Sequence, residues 1–163
     1  GTVLELDKAV AADPKSESAY SKRGDAKFNL KDFRDALEDY SSAIRLNPNN
    51  YYNYNNRGLA KKNLSDYTGA INDFGKAVEL NPKYETAYYN RGTAKFELDD
   101  YQGALDDFNK ALELYPGYAL AYYSRGNVKR IGFEDYTGAC DDWNKAYEMG
   151  LDEAFELLKK FCK

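Results

Sequence analysis

Four Arg-Gly dipeptides, Arg23-Gly24, Arg57-Gly58, Arg91-Gly92 and Arg125-Gly126, stand 34 residues apart along a chain of 163 residues. A fixed period of this length marks a repeat array, in which one supersecondary unit is stacked against copies of itself. Most folds are excluded at once, because each unit must bury its apolar face on a neighbour rather than in a common centre. Aligned on the dipeptides, residues 17–50, 51–84, 85–118 and 119–153 become four copies, the last with one extra residue.

Each copy reads as two helices. Tyr20, Gly24 and Ala26 return as Tyr88, Gly92 and Ala94; tyrosine and a glycine four residues on share a helical face, and the glycine is expected to admit a neighbouring backbone closely. The second half runs Phe33, Ala36, Tyr40, Ala43, Leu46 in one copy and Tyr101, Ala104, Phe108, Ala111, Leu114 in another, an amphipathic stripe with steps of three or four. Pro48, Pro82 and Pro116 each follow that stripe by two residues, and the residue before a proline is driven out of helical conformation.

An aromatic, a glycine four later, an alanine, a second aromatic, a second alanine and a terminal proline in 34 residues resemble the tetratricopeptide repeat. Copy three, from Glu85 through Tyr88, Gly92, Ala94 and Phe96, meets nearly all of it, and the resemblance covers 17–153. It implies an all-α fold, a right-handed superhelical solenoid of helix-turn-helix repeats. Two departures recur: arginine replaces the usual leucine before the glycine, and Lys27, Lys61, Lys95 and Lys129 stand where an aromatic is common. Residues 1–16 fall in the phase of a second helix, so the chain is expected to begin inside a truncated repeat. Residues 152–163 segregate Ala154, Phe155, Leu157, Leu158 and Phe161 from Glu153, Glu156, Lys159 and Lys160, as expected of a C-terminal capping helix over the last seam.

Composition removes several functions. A formal charge of −4 and a pI near 5.0 oppose nucleic acid as a partner, which requires clustered cations. No apolar run is long enough to cross a membrane. Without histidine, and with two cysteines far apart in sequence, the commonest general base, a Cys-x-x-Cys metal site and a glycine-rich phosphate loop are all missing, so no enzyme chemistry, cofactor or metal is expected. The carboxylate pairs Asp99-Asp100, Asp106-Asp107 and Asp141-Asp142 are read as solvated faces and ion pairs.

One charge pattern stands apart. Arg23, Arg57, Arg91 and Arg125 recur beside the glycine while Asp39, Asp73, Asp107 and Asp142 hold one phase on the second helices, with Glu5 in that phase in the half repeat. An arginine near a tight seam needs a partner. The expectation is a ladder of Arg-Asp pairs, formed either within a repeat or to the preceding second helix.

The resemblance further implies that the first helices line a concave groove holding an extended peptide. The residues it points to are Tyr52, Asn55, Asn56, Tyr89, Asn90, Phe96, Tyr123 and Asn127, with Lys22, Lys62 and Arg130 against Asp25 and Glu97 as the charges of the lining. Asn56 and Asn90 share the repeat position at which family members grip ligand backbone. The two-carboxylate clamp of family members that hold acidic chaperone tails is not matched: its positions carry Ser21, Asp25, Asn56, Thr86 and Asn90, or one copy on Asn55, Leu59, Asn90, Leu120 and Ser124, without a cation.

The function expected is therefore a protein-interaction scaffold that binds a protein or peptide. Two readings of other classes are a substrate-recruiting domain of a larger enzyme and a self-assembling module associating through its exposed N-terminal helix. Cys140 and Cys162 lie 11 residues either side of Leu151, so a hairpin near Gly150 brings them together. They are expected to stay reduced, because packed helix axes lie about 8–10 Å apart. A large repeat core also has little need of a staple and no oxidising compartment is indicated; a cytoplasmic location is weakly preferred.

Overall fold

The computed structural model describes residues 2–162 and contains ten helices among them. The chain divides into two compact units, Gly1–Pro82 and Lys83–Lys163. The first holds α1 (Val3–Ala12), α2 (Glu17–Asn29), α3 (Phe33–Leu46), α4 (Tyr51–Asn63) and α5 (Tyr67–Leu80). The second holds α6 (Glu85–Phe96), α7 (Tyr101–Leu114), α8 (Ala119–Phe133), α9 (Tyr136–Glu148) and α10 (Glu153–Phe161). The fold is that of an all-α helical repeat solenoid.

Local chemistry explains the boundaries. α3, α5, α7 and α9 each start after an aspartate, and Asp32, Asp66, Asp100 and Asp135 accept from the backbone N–H three residues on at 3.4, 2.9, 2.9 and 2.8 Å. The three shorter caps are the three in which that N–H belongs to a glycine, Gly69, Gly103 or Gly138, where a Cβ would strike the cap carboxylate. Each turn inside a pair contains one left-handed, non-glycine residue: Lys31, Ser65, Asp99 or Glu134. The extra residue of the last copy lengthens α8 to 15 residues, so the turn shifts by one and the pairing of α8 with α9 is kept.

Within each pair the seam is a glycine under an aromatic ring. An added Cβ at Gly24, Gly58, Gly92 or Gly126 would stand 2.8, 2.7, 2.9 or 2.6 Å from Tyr40, Phe74, Phe108 or Trp143. At Gly24, Gly58 and Gly92 the space is thus filled by a side chain, not by the neighbouring backbone expected from the sequence; at Gly126 the Ala139 carbonyl oxygen comes close as well, 3.1 Å from an added Cβ. These four rings are fully buried, each stabilising its seam by about 1.5–3 kcal/mol through lost apolar surface. Ala36, Ala70, Ala104 and Ala139, all without exposure, keep the second helices close enough for the ring to reach.

α10 packs on α9, closing the core around Trp143 with Ala146, Ala154, Leu157, Leu158 and Phe161. Here the expectation of reduced thiols fails: Cys140 and Cys162 form a disulfide, with Cα atoms 5.8 Å apart. Interaxial spacing was the wrong ruler, because Cys162 is not on the helix. It is the residue that ends α10, in extended backbone (φ −112°, ψ 95°), so its side chain is not directed as a helical one would be.

Candidate functional site

Four charge clusters anchor the first helices. Arg23, Arg57, Arg91 and Arg125 each donate two parallel bonds, at 2.6–2.9 Å, to Asp39, Asp73, Asp107 and Asp142. Of the two geometries open from sequence, these run within a helix pair. The aspartates are almost completely buried, and each takes a second cation: Lys27, Lys61, Lys95 and Lys129 reach Oδ2, the oxygen that also accepts from the arginine Nε, at 2.9, 2.7, 2.8 and 2.8 Å. The recurring lysine, read only as a departure from the family pattern, completes the cluster. Its spacing of four from each arginine was the available signal.

Three of these lysines, Lys61, Lys95 and Lys129, also donate to the carbonyls of Gly69, Gly103 and Gly138, tying the second helix's first turn to the first helix. Each guanidinium lies 5.3–5.7 Å from the ring of the tyrosine three residues before it. Arg23 and Arg125 use their remaining nitrogen on the preceding second helix, at Asp7 and Asn109. Glu5, in phase with Asp39, is not part of the ladder but caps α1 through the backbone of Thr2.

Between the first helices of each unit lies a cleft. In the first unit, Asp25, Phe28 and Asn29 of α2, Tyr40 of α3 and Tyr52, Asn56 and Leu59 of α4 enclose about 310 Å³. In the second, Thr93, Phe96 and Glu97 of α6, Phe108 of α7 and Ser124 and Asn127 of α8 enclose about 200 Å³. The two clefts are equivalent in repeat position: Asp25 corresponds to Thr93, Phe28 to Phe96, Tyr40 to Phe108, Asn56 to Ser124 and Leu59 to Asn127.

The expected groove residues divide. Tyr52 and Asn56 line the first cleft, and Phe96 and Asn127 the second. Asn55 and Asn56 are only 2% and 9% exposed. Asn55 donates to Asn56 Oδ1 at 3.1 Å, and Asn56 donates to Asp25 at 3.0 Å, so the Asn56 amide at the cleft wall is held by its neighbours at both ends. Asn90 is buried as well. Tyr89 packs on Phe108 and Tyr118, with ring centroids 5.7 and 4.8 Å apart, and Tyr123 packs against the Trp143 core. Arg130 turns towards the cap, its guanidinium 4.7 Å from the Phe161 ring centroid.

Sequence reasoning named Asp25, Tyr52 and Asn56 among the lining but not Tyr40, nor the network that joins the four. Asp25 accepts from Tyr40 at 2.8 Å and Asn56 at 3.0 Å through Oδ1, and from Tyr52 at 3.3 Å through Oδ2. Burial, then Asp25, pushes the Tyr40 phenol well above its ordinary range; Tyr52 rises too, from burial first. Both phenols therefore remain donors at neutral pH. The signal was Tyr40 itself, the one hydroxyl-bearing ring in a position that otherwise holds Phe74, Phe108 and Trp143.

Known proteins place this architecture. The tetratricopeptide repeat model matches residues 18–50 and 86–118, and a TPR repeat model matches 62–99. No protein of curated function is significantly similar in sequence. Among solved structures, a crystal structure of MamA superposes with a TM-score of 0.85 over 93% of this chain and 88% of its own, at 24% identity. The first TPR of Spaghetti (RPAP3), bound to the HSP90 peptide SRMEEVD, gives 0.69 over 70% and 90%, at 27% identity. The Arabidopsis OM64 TPR domain is 32% identical, with a TM-score of 0.69 over 71% of this chain and 95% of its own. With the repeat model matched on both sides of the unit boundary and that domain related across nearly its whole length, the chain belongs to the tetratricopeptide repeat family.

Proposed function

We propose that the chain is a non-catalytic scaffold that holds an extended segment of a partner protein in the clefts between its first helices. The observation that carries this reading is the pair of equivalent clefts, each sized for a side chain or two and walled by rigid rings. Aromatic walls give contact area at low entropy cost, and a few polar groups set orientation. The RPAP3 domain holds a peptide rich in acidic residues. In this chain the corresponding face offers Asp25 and no clamp of cations, so the shared peptide-holding role comes with a different specificity. Among the described residues no group of histidine, cysteine or carboxylate side chains could hold a metal ion, and no helix is long and apolar enough to cross a membrane.

The test is selection from a random nonapeptide library on the immobilised chain, followed by binding of the enriched peptides to blocking variants. Leu59→Arg and Asn127→Arg, which fill the two clefts, should abolish or strongly weaken binding, while Glu38→Arg on the exposed face of α3 should not. Equal binding by all three variants overturns the reading.

A further inference from the structure

Asp25 is placed unlike the four aspartates of the charge clusters. Asp39, Asp73, Asp107 and Asp142 each meet two cations. Asp25 meets three neutral donors, Tyr40, Tyr52 and Asn56, and among the described residues no lysine or arginine is paired with it. Its charge is held in position but not compensated. Oδ1 has its two donors; Oδ2 has only the longer bond from Tyr52, so it keeps room for another on the cleft side.

The repeats themselves supply the control. At the four positions of this network the second unit, in its cleft between α6 and α8, has Thr93 for Asp25, Phe108 for Tyr40, Leu120 for Tyr52 and Ser124 for Asn56. The carboxylate, both phenols and the amide are all absent there, and the helix pairs still close in the same way, with Phe108 seated on Gly92 as Tyr40 is on Gly24. The network is therefore not a requirement of the repeat fold. It is an addition to one copy, and it equips that copy with a fixed carboxylate beside Phe28, Tyr40 and Tyr52.

A carboxylate fixed among aromatic faces in a partly desolvated cleft is the chemistry that recognises a cation: the charge attracts it and the rings' negative faces add to the attraction. We infer that the Asp25 cleft is the specificity pocket of the scaffold and takes a lysine or arginine side chain of the bound segment. This rests on the peptide-binding reading above and names its partner class, a basic peptide. A net charge of −4 favours encounter with such a partner, since complementary charge steers association. The ammonium or guanidinium bonds to Asp25 Oδ2 at the mouth, displacing or sharing the Tyr52 hydroxyl, and the alkyl stem lies against Phe28 and Leu59.

A positional-scanning set of acetylated, amidated nonapeptides, each with one position fixed and the others randomised, reads this directly on the intact chain. One position should favour lysine or arginine over norleucine and over glutamate. Asp25→Asn keeps the shape and, with its amide oxygen in the place of Oδ1, the Tyr40 and Asn56 bonds, while its NH2 donates to the Tyr52 oxygen in place of accepting from it; the charge is removed, and this should reduce that preference by about tenfold, as should raising the salt to a Debye length of about 3 Å. Grafting the network into the second unit (T93D, F108Y, L120Y and S124N together) should create a second basic preference. Circular dichroism melts of each variant establish that the fold is kept. Peptide binding with no basic preference, or with one unchanged in Asp25→Asn, overturns the inference and leaves the scaffold reading standing; a failure of every peptide pool to bind overturns both.

Discussion

Each buried aspartate has two cations, so the loss of one should be tolerated and the loss of both should not. The cluster at Arg91, Lys95 and Asp107 makes the case. The Asp107 side chain is 4% exposed, whereas Arg91 and Lys95 are 22% and 19% exposed, so either cation can partly rehydrate but the carboxylate cannot. Arg91→Ala removes two charge-assisted bonds of 2.9 and 2.6 Å and leaves Lys95 at 2.8 Å; the expected cost is about 1–2 kcal/mol. Lys95→Ala leaves the bidentate arginine in place and should cost about 1 kcal/mol. The double variant strands a buried charge, a situation that costs about 3–5 kcal/mol, so the two substitutions should exceed their sum by about 1–2 kcal/mol. Adding Asp107→Asn to the double variant removes the stranded charge and should recover much of that excess. Urea unfolding followed by circular dichroism at 222 nm supplies the cycle. Additivity within about 0.5 kcal/mol, or no recovery with Asp107→Asn, refutes the shared-carboxylate argument.

Gly58→Ala places a methyl 2.7 Å from the buried Phe74 ring, so despite a helix-propensity gain of about 1 kcal/mol it should destabilise the first unit by about 1–2 kcal/mol net, read by the shift of the urea midpoint. Reducing the Cys140–Cys162 bridge, which spans 22 residues, should cost about 3 kcal/mol on the chain-entropy account, with hydrogen exchange rising first in α10. Tyr40 has its phenol raised in the folded state above the unfolded value of 10.0; its contribution to stability is therefore full below about pH 10 and is lost as pH rises beyond it. In an alkaline titration at 295 nm, Tyr40→Phe should remove one tyrosine from the late-ionising class and none from the early one.

Much of the architecture was legible because its determinants are local and repeated. Pro48, Pro82 and Pro116 stand two residues beyond the ends of α3, α5 and α7, and steps of three and four carry Ala36, Tyr40 and Ala43 onto one buried face. What fills a gap was less legible than the gap itself: Gly24 indicates a close approach, but whether backbone or ring approaches depends on the opposing helix. The disulfide escaped a spacing argument because one cysteine sits past its helix end. The first cleft was harder still, since Asp25, Tyr40 and Asn56 come from three helices and their convergence depends on how α2, α3 and α4 pack. Asn56 looked like a free amide by repeat position, yet burial and two neighbours determine where its hydrogen bonds go.

The central claim, that the first-helix clefts hold the partner segment, is tested most directly by chemical-shift mapping of the isotopically labelled chain with a library-enriched nonapeptide. The account predicts that the largest amide shifts fall on α2, α4, α6 and α8, around Asp25, Tyr52, Phe96 and Asn127, with side-chain signals of Phe28 and Tyr52 moving as the peptide saturates. Shifts concentrated instead on the outward residues of α3, α5 and α7, such as Glu38, Glu79 and Glu113, with the clefts unmoved, would contradict it.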